Sequence, residues 1–154
     1  MNEPRQLHHL VEAHPLLFRG LHPAVMSDLP AGWYDLVDRL CSDIESVLGP
    51  TACQRIEVKQ IKEKFGALRL YYSLDDRSDL HIDRFSPDGV QHEVIQSGPS
   101  DPEGVEAQIR ELVDAAHAAS AETCRICGST ARLRNVGGWM TTLCDTHLAA
   151  RRAR

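Results

Sequence analysis

The chain has 154 residues and a net charge of −5, which suits one domain with at most a small appendage. No apolar run approaches the ~20 residues that cross a bilayer, and the N-terminus lacks the charged-then-apolar layout of a signal peptide. Five cysteines, three of them in a metal-type array, argue against a disulfide framework and point to a reducing, cytoplasmic setting. Only 5% of residues are aromatic, so aliphatic side chains must fill most of the core.

In chain order, Pro4–Ala13 reads as a short helix with Leu7, Leu10 and Val11 on one side, ended by His14-Pro15. His8, His9, His14 and His22 read as ordinary surface histidines; clustering of His8, His9 and His22 after folding is the alternative. The apolar stretch Leu16–Pro23 has no clear period and must lie on something. Trp33–Leu48 is a clear amphipathic helix. Trp33, Leu36, Val37, Leu40, Ile44, Val47 and Leu48 line one face, acidic residues line the other, and Gly49-Pro50 is the stop. Cys41 and Cys53 read as small buried hydrophobes, against a fifth metal ligand or a disulfide.

A β region follows. Arg55–Lys59 and Gly66–Leu74 alternate as strands joined through Ile61–Gly66, with Phe65 anchoring the connection. Lys59, Lys62, Lys64, Arg69 and Tyr71 fall on the outward face, a sparse basic patch compatible with phosphate contact. Leu80–Ser86 and Val90–Gln96 form a second hairpin around Pro87-Asp88-Gly89. The expected body is therefore one four-stranded antiparallel sheet packed by two or three helices, an α+β fold. Asp101 with Pro102 reads as the start of a helix reaching about Ala121, some 30 Å long at 1.5 Å per residue, which runs directly into Cys124.

The C-terminal part carries the strongest chemical signal. Cys124-Arg-Ile-Cys127-Gly128 and Cys144-Asp-Thr-His147 are two ligand pairs, each with two residues between its members. Cys3His is a common closed, four-ligand set for structural zinc. Between the pairs, Ala131–Arg134 and Trp139–Leu143 read as strands joined through Asn135–Gly138, which suggests a zinc ribbon or a treble-clef-like knuckle. A redox Cys-x-x-Cys pair would instead open a helix after a strand. The division expected is a body of residues 1–123 and a knuckle of residues 124–154. The body carries a net −10 and the knuckle a net +5 before any metal.

Several stretches together resemble a family of small uncharacterised bacterial and bacteriophage proteins. These are Leu17–Gly20, Gly32–Cys41, Val58–Tyr71, Ser120–Gly128 and Gly138–His147. The resemblance implies Cys124, Cys127, Cys144 and His147 as the ligand set and marks Lys64-Phe65-Gly66, Leu68 and Arg69 as a defining feature. It brings no established activity. The chain departs from the family pattern at Val25–Asp28, which lacks an aromatic- and glycine-rich stretch, and in its longer hairpin at residues 80–96. The knuckle alone is similar to that of DksA/TraR-type transcription factors, without their acidic-tipped coiled coil.

No catalytic constellation stands out. Asp75, Asp76, Asp79 and Asp83 could hold a divalent cation for hydrolysis but lack a calcium-loop frame, and His81, His92 and Glu93 have no nucleophile beside them. The function expected is a non-enzymatic, zinc-stabilised protein-interaction module whose acidic body suits a basic partner, as an immunity or inhibitor protein suits a toxin. The alternative is a nucleic-acid-binding or transcription-associated zinc protein using Lys62, Lys64, Arg69, Arg151, Arg152 and Arg154.

Overall fold

A computed structural model describes residues 3–21, 29–98 and 104–153, with the side chains of residues 3–7 left aside. The Leu7 side chain, His22, the Val25–Asp28 departure, the Asp101-Pro102 helix start and Arg154 therefore lie outside what is described. Helix α1 (Glu3–Ala13) buries Leu10, and a 3₁₀ turn at Ala31–Trp33 leads into α2 (Tyr34–Ala52). Tyr34, Val37, Leu40, Cys41, Ile44 and Leu48 of α2 are buried, the stripe expected from 3.6-residue spacing. Gly49, at φ +71, breaks the regular helix, and Pro50 opens one further turn. Cys41 and Cys53 are buried free thiols.

His14 corrects the reading of its group as surface histidines. It is 4% exposed, with Nδ1 2.9 Å from Glu45 Oε2 and Nε2 2.9 Å from Asp38 Oδ1. The acidic face of α2 thus has an internal partner, which periodicity could not reveal. His8 and His9 are exposed. The aperiodic apolar stretch lies against the start of the sheet: Leu17 and Phe18 are buried, and the Val58 amide donates to the Leu17 carbonyl at 3.0 Å.

Strands β1 (Ile56–Lys64) and β2 (Ala67–Leu74) form a hairpin closed by Phe65-Gly66, both at positive φ. A two-residue turn of that kind matches the twist of its strands. The expected connection at Ile61–Gly66 is therefore mostly strand. A register shift between Val58 and Gln60 resets the alternation, so Ile56, Val58 and Ile61 are all buried. That extra residue is what hid the second half of β1 from a period-two reading.

The single four-stranded sheet is also corrected. Strands β1, β2 and the two-residue β3 (Arg77–Ser78) form one sheet; β4 (Leu80–Ser86) and β5 (Gly89–Ile95) form a separate hairpin. β3 pairs only with Ser73 and Leu74, after which the chain leaves the edge of β2 at Asp79. Asp79 is held away by Arg110 at 3.0 Å and by the Ser97 amide at 3.0 Å. Helix α3 (Val105–Ser120) packs on α2 and β2 through Ile109 and Ala116; its 16 residues span about 24 Å, shorter than expected. The third sheet is β6 (Arg132–Val136) paired with β7 (Trp139–Leu143), followed by α4 (Asp145–Arg152).

Candidate metal centre

The Ala121–Thr123 turn at the end of α3 delivers Cys124, and Gly128 at φ +75 closes the Cys124–Cys127 turn with its amide 2.9 Å from the Cys124 carbonyl. The β6–β7 hairpin, turned at Gly137-Gly138, then returns the chain to the same place. Cys144 caps α4 and His147 lies in its first turn. The second ligand pair is thus carried by a helix, where a ribbon would have a second knuckle. Turn, hairpin and helix follow one another along the chain.

The four ligand atoms lie within 4.8 Å of one another. Cys124 Sγ is 3.6 Å and Cys144 Sγ 3.1 Å from His147 Nδ1, and Cys127 Sγ is 3.9 Å from Cys144 Sγ. Hydrogen bonding to Ser129 lowers the Cys127 thiol to about 6. The His147 amide favours ionisation of Cys144, but burial and the neighbouring Cys124 and Cys127 sulfurs outweigh it and push that thiol up. Three sulfurs this close resist joint ionisation unless a cation sits among them, and a metal ion supplies that charge. Among the described residues, no other group of three or more Cys, His, Asp or Glu side chains has such a metal-holding arrangement.

The cluster is built into the body of the protein. The Gly32 amide donates to the Arg125 carbonyl at 2.9 Å, and the buried Trp33 indole donates to the Thr123 carbonyl at 2.8 Å. The Arg125 amide reaches the Thr142 carbonyl, while the Thr142 hydroxyl donates to the Gly66 carbonyl at 2.6 Å. The Phe65-Gly66 turn of the first hairpin is thereby docked on the second ligand strand.

Some of the cationic residues singled out for nucleic acid are engaged inside the protein. Arg69 is 5% exposed and bonded to Asp83 and His117, so it is withdrawn from that set. Lys64 pairs with Asp83 at 2.6 Å, and Lys62 lies over the Tyr71 ring. Arg151 and Arg152 are exposed on the last turn of α4. The aspartates of residues 75–83 are also dispersed: Asp75 pairs with Arg55, Asp79 with Arg110, and Asp83 with Lys64 and Arg69.

Around Asp83 the structure assembles a group that the sequence showed only in pieces. His92 Nδ1 is 2.9 Å from Asp83 Oδ1, His81 Nδ1 is 3.2 Å from His92 Nε2, and the His117 ring stacks on His92. The Pro87-Asp88 turn sets Asp83 opposite His92, which counting outward from that turn would have given. Nothing in the spacing points to His117 on α3. Burial would raise Asp83, but hydrogen bonds from Lys64 and His92 and the Arg69 charge hold it well below the carboxylate range. Burial lowers His81, helped by His92; burial also lowers His117, with Arg69 adding to it against the Leu68 carbonyl.

A folded-state histidine pKa below the unfolded value means that the unfolded chain binds more protons in that window. Stability should be fully present above about pH 6.5 and fall as the pH drops toward the folded values. Replacing His81 and His117 by glutamine should flatten this part of a denaturation-midpoint-versus-pH curve. An unchanged slope would contradict it.

Compared with family models, with curated proteins and with solved structures, the chain matches none. What the fold and site define is an α+β protein with a C-terminal Cys3His cluster that could bind a metal ion. No helix among the described residues is long and apolar enough to cross a membrane.

Proposed function

We propose that Cys124, Cys127, Cys144 and His147 hold one structural zinc ion, and that the protein is a non-enzymatic protein-interaction module. A tetrahedral zinc with Zn–S bonds of about 2.3 Å and Zn–N bonds of about 2.0–2.1 Å has ligand-to-ligand edges of roughly 3.5–3.8 Å. Three of the six ligand-to-ligand separations, at 3.1, 3.6 and 3.9 Å, bracket those edges, and all six lie within 4.8 Å. Four protein ligands leave no position for a reacting water, so the ion serves architecture.

The observation that favours protein over nucleic acid is where the exposed apolar and cationic groups lie. Trp139 is 74% and Phe85 70% exposed, so two of the chain's eight aromatic residues face solvent. Meanwhile Arg69, Lys64 and Arg125 are engaged by Asp83 and Glu63, which interrupts any phosphate-tracking stripe. The acidic body suits a basic partner, in the manner of an immunity or inhibitor protein, acting in the cytoplasm. The nucleic-acid reading keeps one support, the exposed Trp139 on the same C-terminal unit as Arg151 and Arg152.

Affinity purification from the source cells at low salt, followed by titration with the recovered partner, tests the choice. A basic protein whose affinity falls as salt rises, and falls further with Trp139→Ser or Phe85→Ser, is the expected result. Recovery of nucleic acid alone, with affinity lost on removing residues 149–154, would replace it with the second reading.

A further inference from the structure

No residue of β4 or β5 is fully buried, and none belongs to the hydrophobic core. The two strands pair along their whole length with each other and, among the described residues, with no strand of the main sheet. A lone two-stranded hairpin is marginal in water, so side-chain contacts must hold this one in place. Phe85 packs edge-on against Phe65, and His81 packs edge-on against Tyr71 with ring centroids 4.6 Å apart. The polar attachment is Asp83, which reaches Lys64 of β1 at 2.6 Å and Arg69 of β2 at 3.2 Å. At the base, the Ser97 amide bonds to Asp79 at 3.0 Å and Arg110 of α3 holds Asp79 at 3.0 Å, so the two ends of the hairpin are pinned together.

Three imidazoles, His81, His92 and His117, line a cavity of about 420 Å³ between this hairpin, β2 and α3. That is room for the water that delivers protons. His92 Nδ1 donates to Asp83 at 2.9 Å, and its Nε2 lies 3.2 Å from His81 Nδ1. Two neutral rings, or two rings sharing one extra proton, can make both bonds. A second proton leaves two N–H groups facing each other. His117 is constrained by Arg69, whose Nη1 lies 2.7 Å from its Nδ1 and 3.3 Å from its Nε2. A neutral imidazole offers an acceptor on one of those nitrogens, whereas an imidazolium offers none.

The surrounding charges do not relieve this. His81 faces Tyr71 and Arg69 of β2, His92 of β5, and the carboxylates of Asp79 and Asp83; Lys62 of β1 lies over the Tyr71 ring. His117 faces Arg69 and the Leu68 carbonyl of β2, His92 of β5, and Asp114 of its own helix. Asp83 is already engaged by Lys64, Arg69 and His92, and Asp79 by Arg110. Burial, and after it the charges of His92 and Arg69, hold both His81 and His117 below the ordinary imidazole range.

We propose that the β4–β5 hairpin is a proton-operated flap: imidazolium charge at His81 and His117 breaks its attachment at Arg69 and Asp83, and it swings from its pinned base while the main sheet and helices stay folded. Opening uncovers Arg69 and Tyr71, which share one face of β2. A released histidine with its ordinary pKa binds protons more tightly than the docked one. Opening therefore grows more favourable as the pH falls below about 6.5.

The test follows amide exchange of the full, metal-loaded chain from about pH 7.5 to pH 5, corrected for the intrinsic pH dependence of exchange, at pH values where the metal is retained. Protection of the β4–β5 amides should fall at least a few-fold, in step with titration of the His81 and His117 rings, while amides of α2 and β1 keep theirs. Combining His81→Gln with His117→Gln, which leaves an uncharged acceptor at each position, should keep the hairpin protected at the lower pH. Hairpin amides that stay protected while the rings titrate, or that lose protection only together with α2, overturn the proposal. So does a double variant that opens at the same pH as the wild type. If the double variant fails to fold, exchange and ring titration of the wild type decide alone.

Discussion

Replacing Cys124 with serine is expected to abolish metal retention and to unfold the C-terminal unit, although the substitution barely changes side-chain volume. Cys124 is fully buried, and its sulfur is one of the four atoms that converge near His147 Nδ1. The small hydrophobic cluster around it has Leu143 and Leu148 as its other fully buried apolar residues, too little apolar surface to hold residues 124–153 together unaided. Structural zinc in small units contributes on the order of 10 kcal/mol, comparable to the whole stability of a typical domain. Hydrogen exchange should show protection lost first at the Arg125 and Leu148 amides, which bond to Thr142 and Cys144. The α2 core should persist longer. Unchanged protection in the serine variant would show that the cluster carries no structural load.

Gly32→Ala is the second large effect. Helical propensity alone would make alanine mildly favourable in a 3₁₀ turn that leads into a helix. Packing predicts the reverse. A Cβ at Gly32 would lie 2.1 Å from the Cys124 carbonyl oxygen and 2.7 Å from both the Arg125 carbonyl carbon and the Gly128 amide nitrogen. All three are backbone atoms of the ligand turn, so no side chain can swing aside. The expected cost is about 3 kcal/mol or more, with weaker metal retention alongside it. Trp33→Ala should cost about 3–5 kcal/mol by a different route, a core cavity plus loss of the indole bond to Thr123. Denaturation midpoints and metal content measured on both variants separate the two causes. Only Gly32→Ala should loosen the metal out of proportion to its loss of stability, and a stabilised Gly32→Ala would refute the packing account.

The elements with strong local signals were legible in the sequence. The apolar stripe of α2, the alternation of β2, the Pro87-Asp88 turn and the spacing of Cys124, Cys127, Cys144 and His147 each follow from short-range chemistry. What escaped depends on features with no local signature. The register shift near Lys59 broke the alternation of β1, and the departure at Asp79 is set by Arg110, thirty-one residues away. His14 and Arg69 look like surface residues in a linear reading, because their carboxylate partners come from other elements. Gly32-Trp33 read only as the lead into a helix, whereas in the fold it is the seat on which the ligand turn rests.

Elemental analysis of the intact chain, purified without added metal or chelator, bears most directly on the central claim. One zinc per chain, retained through dialysis and lost together with cooperative unfolding of the C-terminal unit on strong chelation, is the expected result. A metal-free chain that keeps the same fold, or Cys124 and Cys127 recovered as a disulfide, would contradict it.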